Sequence, residues 1–379
     1  MPKPTDNGTP SSAPARIAAI GLALALLALW LYPAPPVDEN KAAAAPPVFR
    51  LGTIASAELF RSLDQGVEDN FGLKSAAVAL VGTGLLATGL SPSSQAIIAP
   101  GGKPYLSDDF KAICLTPEVQ DQMESSLAMI DDRVRASGGY FLYAITPDKT
   151  TVEREELGPL RSLYAGCNDG NIDYLSELGA RGALGEVPVL TAFDEFAAAT
   201  ASKGSQFLYG DSHWDPVGAQ LFASLVFDRL ERDGVVPAGI FDQSEIDVSP
   251  ATDHVDDLYQ LMGVERIEPI ELRSAIRDGV TSDYSTEPLS GGWVSQRWVN
   301  TSEGVPLVAG RTLILQDSMF GYNGAIYSAY FEDVTALPIQ ALADPGRVAL
   351  LGDYDLVIVQ QVQRTLPVAL PEMTAATWF

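Results

Sequence analysis

Apolar residues recur along this chain with two alternating periods. Between Glu118 and Ser137 they fall at Met123, Leu127, Ile130 and Val134, a three-and-four spacing that lays one stripe along a helix. Gly138 and Gly139 follow, then the unbroken run Tyr140 to Ile145, so this stretch predicts a helix feeding a buried strand. Upstream, Leu59 to Leu90 is mostly helical in flavour, and Gln95 to Ile98 with Gly101 and Gly102 predicts a strand and turn. Another helix begins at Pro216, capped by Asp215, with Leu221, Phe222, Leu225 and Leu230 as its stripe. A long polar stretch follows Asp233, and two buried-type strands stand at Leu313 to Leu315 and Leu356 to Val359. Continuous apolar strands alternating with helices predict an α/β fold whose mostly parallel sheet is covered on both faces. In such sheets reactive side chains gather at the carboxyl ends of strands. Residues 145–149, 316–318 and 360–364 all lie just past apolar runs, within reach of one crevice.

The amino end departs from this pattern. Residues 17–32 are apolar and uncharged, follow Arg16, and fall short of the roughly 20 residues of an average span. A cleaved signal peptide and an uncleaved anchor both fit. The nearest A-x-A-like candidate, Ala42 to Ala45, lies well downstream, which favours the anchor. Positive charge before the segment and acidic residues after it put residues 1–16 in the cytoplasm and the remainder outside, a single-pass inner-membrane protein. Residues 33–47 are dominated by Ala and Pro and read as a stiff linker, so the folded domain is expected over 48–379.

Composition then removes several classes of function. With 24 basic residues against 49 acidic ones and a net charge of -25, the chain has no footprint for a phosphate backbone, and nucleic acid is not expected as a partner. Cys114 and Cys167 are an even pair in an extracytoplasmic chain and are expected to form a disulfide; two buried thiols are the alternative. Closing that loop restricts the unfolded chain by ~4 kcal/mol on the entropy model. No phosphate-cradling glycine loop, dinucleotide fingerprint or H-x-x-x-H pattern occurs, so no cofactor and no metal are expected.

The chemistry concentrates in Asp211-Ser212-His213-Trp214 and Gln316-Asp317-Ser318. A serine hydroxyl attacks poorly until a base removes its proton, and an imidazole serves best when a carboxylate fixes its tautomer. The chain holds two histidines, so the base is His213 or His254. In extended backbone Asp211 and His213 share a face with Ser212 turned away. An equally plain reading makes His213 a histidine satisfied locally by Asp211 and Asp215. Ser318 stands at the end of an apolar strand, where serines are commonly turn residues. The G-x-S-x-G elbow is absent, because Gln316 and Phe320 occupy the glycine positions, which disfavours an ordinary α/β-hydrolase. His254, between Asp253 and Asp256-Asp257, reads as part of a solvated surface cluster; alternatively those carboxylates close one side of the site with loop hydrogen bonds.

Tyr209 to Ala219 resembles the D-x-H-W signature of the polysaccharide O-acetyltransferases grouped with AlgX and AlgJ of alginate O-acetylation, which are SGNH-hydrolase-like. Pro147-Asp148-Lys149 is similar to the family's P-x-K segment. So are Asp257-Leu258 with Met262-Gly263, Leu315 to Ser318 as the nucleophile block, and Asp355 to Arg364 as the closing strand. Their order implies a circularly permuted SGNH fold, with Gln316 and Gln363 as departures from the pattern. The resemblance implies that Ser318 carries the acetyl group, His213 acts as base and acid, and Asp211 orients it. It implies a partner multispan acyltransferase as acetyl donor, an exported polysaccharide as acceptor, and a periplasmic site. The Ser318 amide would serve the oxyanion, and Tyr322 and Asn323 are local candidates for further donors; Trp214, Lys149 and Arg364 are expected on the substrate side. An extracytoplasmic carbohydrate esterase and a non-catalytic glycan-binding protein are the competing readings.

Overall fold

The computed structural model describes residues 74–111, 113–182, 187–289, 293–343 and 349–366. The expected tail, anchor and linker lie outside them, as do residues 48–73 of the expected domain. No helix among the described residues is long and apolar enough to cross a membrane. The chain divides into two compact units, residues 1–92 with 260–265, and residues 93–259 with 266–379. Described in the first is helix α1 (Lys74–Leu86), the observed part of the helical stretch expected from Leu59.

The second unit begins with a small hairpin, β1 (Ala96–Ile98) and β2 (Pro104–Leu106), turned by Gly101 and Gly102 at φ of 98° and 90°. Glycine reaches that left-handed region without a Cβ clash. Next comes α2 (Pro117–Ala136), with Pro117 in its first turn and all four expected stripe residues buried. Gly138, at φ 87°, reverses the chain into β3 (Tyr140–Thr146). The remaining cover is α3 (Lys149–Val152), α4 (Arg161–Gly182), α5 (Phe193–Lys203) and α6 (Pro216–Arg232). Asp215 caps α6 by accepting from Gly218 N at 2.7 Å.

The other strands are β4 (Val189–Thr191), β5 (Ile246–Val248), β6 (Thr252–Val255), β7 (Ile267–Ile270), β8 (Arg273–Ala275), β9 (Val280–Pro288), β10 (Val294–Ser302), β11 (Val308–Gln316), β12 (Phe331–Pro338) and β13 (Leu356–Val362). Seven strands form the main sheet in the order β4-β3-β13-β11-β12-β10-β9. Its first five are parallel, while β10 and β9 add an antiparallel edge, so the sheet is mostly parallel as expected. One face packs on α2 and α4 through Met123, Ile130, Tyr164 and Leu175, against Phe141, Leu313 and Val357. The opposite face packs on α5 and α6 through Phe196, Phe222 and Phe227, against Leu142, Ile314 and Ile358. Alternation along a strand turns successive side chains to opposite faces, so the unbroken apolar runs serve both layers at once.

The polar stretch after Asp233 is the chief difference from expectation. It folds into two strand pairs, β5 with β8 and β6 with β7, and then into the β9–β10 hairpin. Nearly every β9 residue is exposed, so that strand has no apolar alternation to betray it. Its ladder with β10 holds it instead, nine residue pairs long.

Candidate active site

Three segments at the carboxyl end of the sheet build the site. The first is the loop between α5 and α6. Leu208 N donates to His213 O at 3.2 Å and Asp215 N to Gln206 O at 3.0 Å, which closes residues 206–215 into a tight turn. Trp214, fully buried between Phe196 and Phe222, anchors that turn in the core. From below, the buried Lys149 ammonium donates to the carbonyls of Leu208 (2.9 Å), Tyr209 (2.8 Å), Asp211 (3.0 Å) and Pro104 (3.3 Å). Burial lowers this lysine to about 8, and the carbonyl cage takes the place of its lost water.

The second segment follows β11. Asp317 accepts from Met319 N at 3.0 Å and from Val362 N at 2.5 Å, pinning the single 3-10 turn Ser318–Tyr322 to β13. Ser318, at its first position, is exposed to solvent. The third segment is β6 with the short helix that Asp257 opens, which delivers His254 and Asp257.

These segments converge on a continuous hydrogen-bonded chain. Ser318 Oγ lies 2.9 Å from His213 Nε2, and His213 Nδ1 lies 2.6 Å from Asp211 Oδ1. The other Asp211 oxygen is 2.8 Å from His254 Nε2 and accepts from Asp257 N at 3.1 Å. Tyr322 Oη stands 3.4 Å from His254 Nδ1. Asp257 reaches His213 Nδ1 at 3.3 Å and accepts from the Ser212 amide at 2.8 Å and its hydroxyl at 2.5 Å. Asp211 and His213 meet through a turn in which Asp211 Oδ1 also accepts from His213 N at 2.9 Å, rather than through strand alternation. The local alternative for His213 does not hold, because Asp215 spends its carboxylate on the α6 cap.

Electrostatics follow from this wiring. Burial alone raises the Asp211 carboxyl, but hydrogen bonds from His213 and His254 outweigh it and hold the group well below the usual carboxylate range. Burial likewise favours a neutral His213 ring, yet the hydrogen bonds and charges of Asp211 and Asp257 push it up to about 9.

The remaining expected site residues are placed otherwise. Asn323 is fully buried and its amide donates to Ala219 O of α6 at 3.1 Å. Arg364 is buried against Asp148 at 2.7 Å and Asp109 at 3.7 Å, tying the end of β13 to the turn after β3. Lys149 and Trp214 support the Asp211 loop from inside, so of the expected donor and substrate-side residues only Tyr322 adjoins the reactive chain. His254, expected in a solvated cluster, is instead half-buried against Asp211. Asp257, expected to form loop hydrogen bonds at one side of the site, accepts from Ser212 of the loop before α6 and also faces His213. Cys114 and Cys167 are disulfide-bonded, tying the loop before α2 to α4. Among the described residues, Asp211, His254 and Asp256, and separately Asp211, His213 and Asp257, bring one possible ligand atom apiece within 4.8 Å of one another. Both sets use Asp211, whose oxygens already accept imidazole and amide hydrogens, so a cation would have to displace the network that orients the serine.

Residues 113–291 match the family model of the SGNH hydrolase-like domain, acetyltransferase AlgX. The match covers just under half of the chain, and over that stretch the chain is similar to the AlgX domain. The match spans the Asp211 and His213 loop and stops short of Ser318, which the fold brings to them. No curated protein sequence matches the chain. Among solved structures, Bacillus cereus PatB1 with a sulfonyl adduct is similar with a TM-score of 0.55 at 12% identity, over 73% of this chain and 99% of that one. The O-acetyltransferase domain of Pseudomonas putida AlgJ is similar with a TM-score of 0.48 at 16% identity, over 72% and 92%. Pseudomonas aeruginosa AlgX follows with 0.44 at 14%, over 73% and 65%. At such identity the PatB1 likeness establishes a shared fold, and the two lower scores carry no argument.

Proposed function

We propose that this chain is a periplasmic O-acetyltransferase, tethered by residues 17–32, that moves an acetyl group through an acyl-Ser318 onto hydroxyls of an exported polysaccharide. The observation that carries the reading is the 2.9 Å contact between Ser318 Oγ and His213 Nε2, with Asp211 behind the ring. In its neutral form His213 takes the hydroxyl proton as Ser318 Oγ attacks the acetyl carbonyl. Negative charge gathers on the carbonyl oxygen, and the Ser318 backbone N–H is its proposed donor. The leaving group departs with the proton from His213, leaving acetyl-Ser318. A sugar hydroxyl then gives its proton to His213, attacks the ester, and returns the serine. Asp211 keeps the ring in the tautomer that presents Nε2 to the serine. The acetyl donor is proposed to be a multispan membrane acyltransferase.

The exposure of Ser318 favours a second reading, since water can also reach the acyl group and an esterase uses the same residues. Supplying an activated acetyl ester with and without oligosaccharides separates the two. Transfer predicts acetylated sugar by mass and less free acetate when sugar is present. Acetate release unchanged by sugar, with no acetylated product, would overturn it.

A further inference from the structure

His213 is the imidazole that touches the serine, but the chain places both of its histidines on one carboxylate. We infer that His254 is a positioning residue: by holding the Asp211 oxygen that faces away from His213, it sets how strongly Asp211 polarises the ring beside Ser318. This inference rests on the acyl-serine reading for its consequence, though not for its primary measurement.

The hydrogen-bond order is self-consistent in one tautomer. Asp211 Oδ2 can only accept, so His254 Nε2 carries the hydrogen in that 2.8 Å contact. In the neutral ring His254 Nδ1 is then an acceptor, and the Tyr322 hydroxyl at 3.4 Å is placed to donate to it. Protons thus point along one direction, from Tyr322 to His254 to Asp211. From the other side the hydrogen on His213 Nδ1 points at the same carboxylate. The two Asp211 oxygens share one negative charge, so a donor on Oδ2 draws density from the oxygen that steadies His213.

Other charged groups face His254 from each neighbouring segment. From the loop before α6 come Asp211 and, beyond it, His213. Across the β6–β7 ladder Glu268 stands opposite, and Arg266 bridges it and the buried Asp256, at 3.2 Å and 2.5 Å. Asp257 opens the short helix after β6, and Tyr322 comes from the turn after β11. Arg266 bridges Asp256 and Glu268 and offsets one of their two charges, and Asp211 is the carboxylate in hydrogen-bond contact with His254.

Removing His254 has the same sign in either protonation state. A neutral His254 withdraws a donor from Asp211 when lost, and a charged one also withdraws a cation from the neighbourhood of His213. Both changes favour the His213 imidazolium. Because the chain has only two histidines, a His254 variant leaves a single imidazole signal, which makes His213 directly readable by NMR titration. For His254→Ala we expect the His213 midpoint to rise by at least half a pH unit. His254→Gln, whose amide hydrogen can re-form the contact to Oδ2, should return it most of the way. The acid limb of Ser318 acylation should move by the same amount. An unmoved or lowered His213 midpoint in His254→Ala, with melting temperature alone reduced, overturns the inference. If the midpoint rises while Ser318 cannot be acylated in the parent protein, the acyl-serine reading falls and the coupling stands.

Discussion

The imidazole of His213 sits between two opposed demands. As a base it must be neutral, yet Asp211 and Asp257 on its Nδ1 side push it up to about 9 against the cost of burial. The base form therefore grows as pH rises above the ordinary imidazole range, and Ser318 acylation should climb from pH 7 toward 9 instead of levelling near 6.5. Replacing Asp257 with Asn removes one of those carboxylates and should move the limb downward, measured as the pH profile of acylation rate; an unchanged limb would show that Asp257 does not act on the ring. Linkage runs the other way for stability. A folded-state value above the unfolded 6.5 means that the His213 contribution is full below 6.5 and is lost as pH rises through about 9. Activity and this share of stability thus oppose each other across the same window.

At the scale of elements, the loop from Gln206 to Asp215 positions the base because larger structures hold it on several sides. Trp214 roots it in the core, Lys149 gathers its carbonyls, and Leu258 N donates to Gly210 O at 3.2 Å. A Cβ at Gly210 would stand 2.0 Å from Asp256 Oδ2, and Asp256 is fully buried and fixed by Arg266. Gly210→Ala should therefore cost about 1–3 kcal/mol by denaturant midpoint and slow Ser318 acylation, as overpacking shifts the loop. Gly166→Ala in α4, with nothing within 4 Å of its Cβ, is the control and should leave both intact.

The same elements show what the sequence could reveal. Helices α2 and α6 and strands β3, β11 and β13 carry strong periodicity or long apolar runs and are legible as written. Helix α4 buries Tyr164, Ile172, Leu175 and Leu178, but Gly166, Gly170 and Gly179 interrupt its helical composition and hide it. The Asp211, His213 and Ser318 set was legible from residue type and from the family resemblance, whereas the extended-backbone spacing argument was not what joins Asp211 to His213, which meet through a turn. His254 was not, because its partner is 43 residues away and its flanking carboxylates imitate a solvated surface.

Across the whole molecule, residues more than a hundred positions apart are brought into contact by sheet order. Strand β13 lies between β3 and β11, so Asp148, Ser318 and Arg364 arrive at one end although they derive from distant parts of the chain. Asp317 bonded to Val362 N and Arg364 bonded to Asp148 lock those strand ends together, and the nucleophile turn is thus held by the sheet. In the proposed reaction this geometry presents Ser318 as the acyl-carrying nucleophile. A sulfonyl fluoride, an electrophile that captures base-activated serine hydroxyls, tests it most directly. Incubated with the folded protein and mapped by peptide mass, it should modify Ser318 alone, at a rate lost in His213→Ala. Modification elsewhere, or none at Ser318 in a folded protein, would contradict the account.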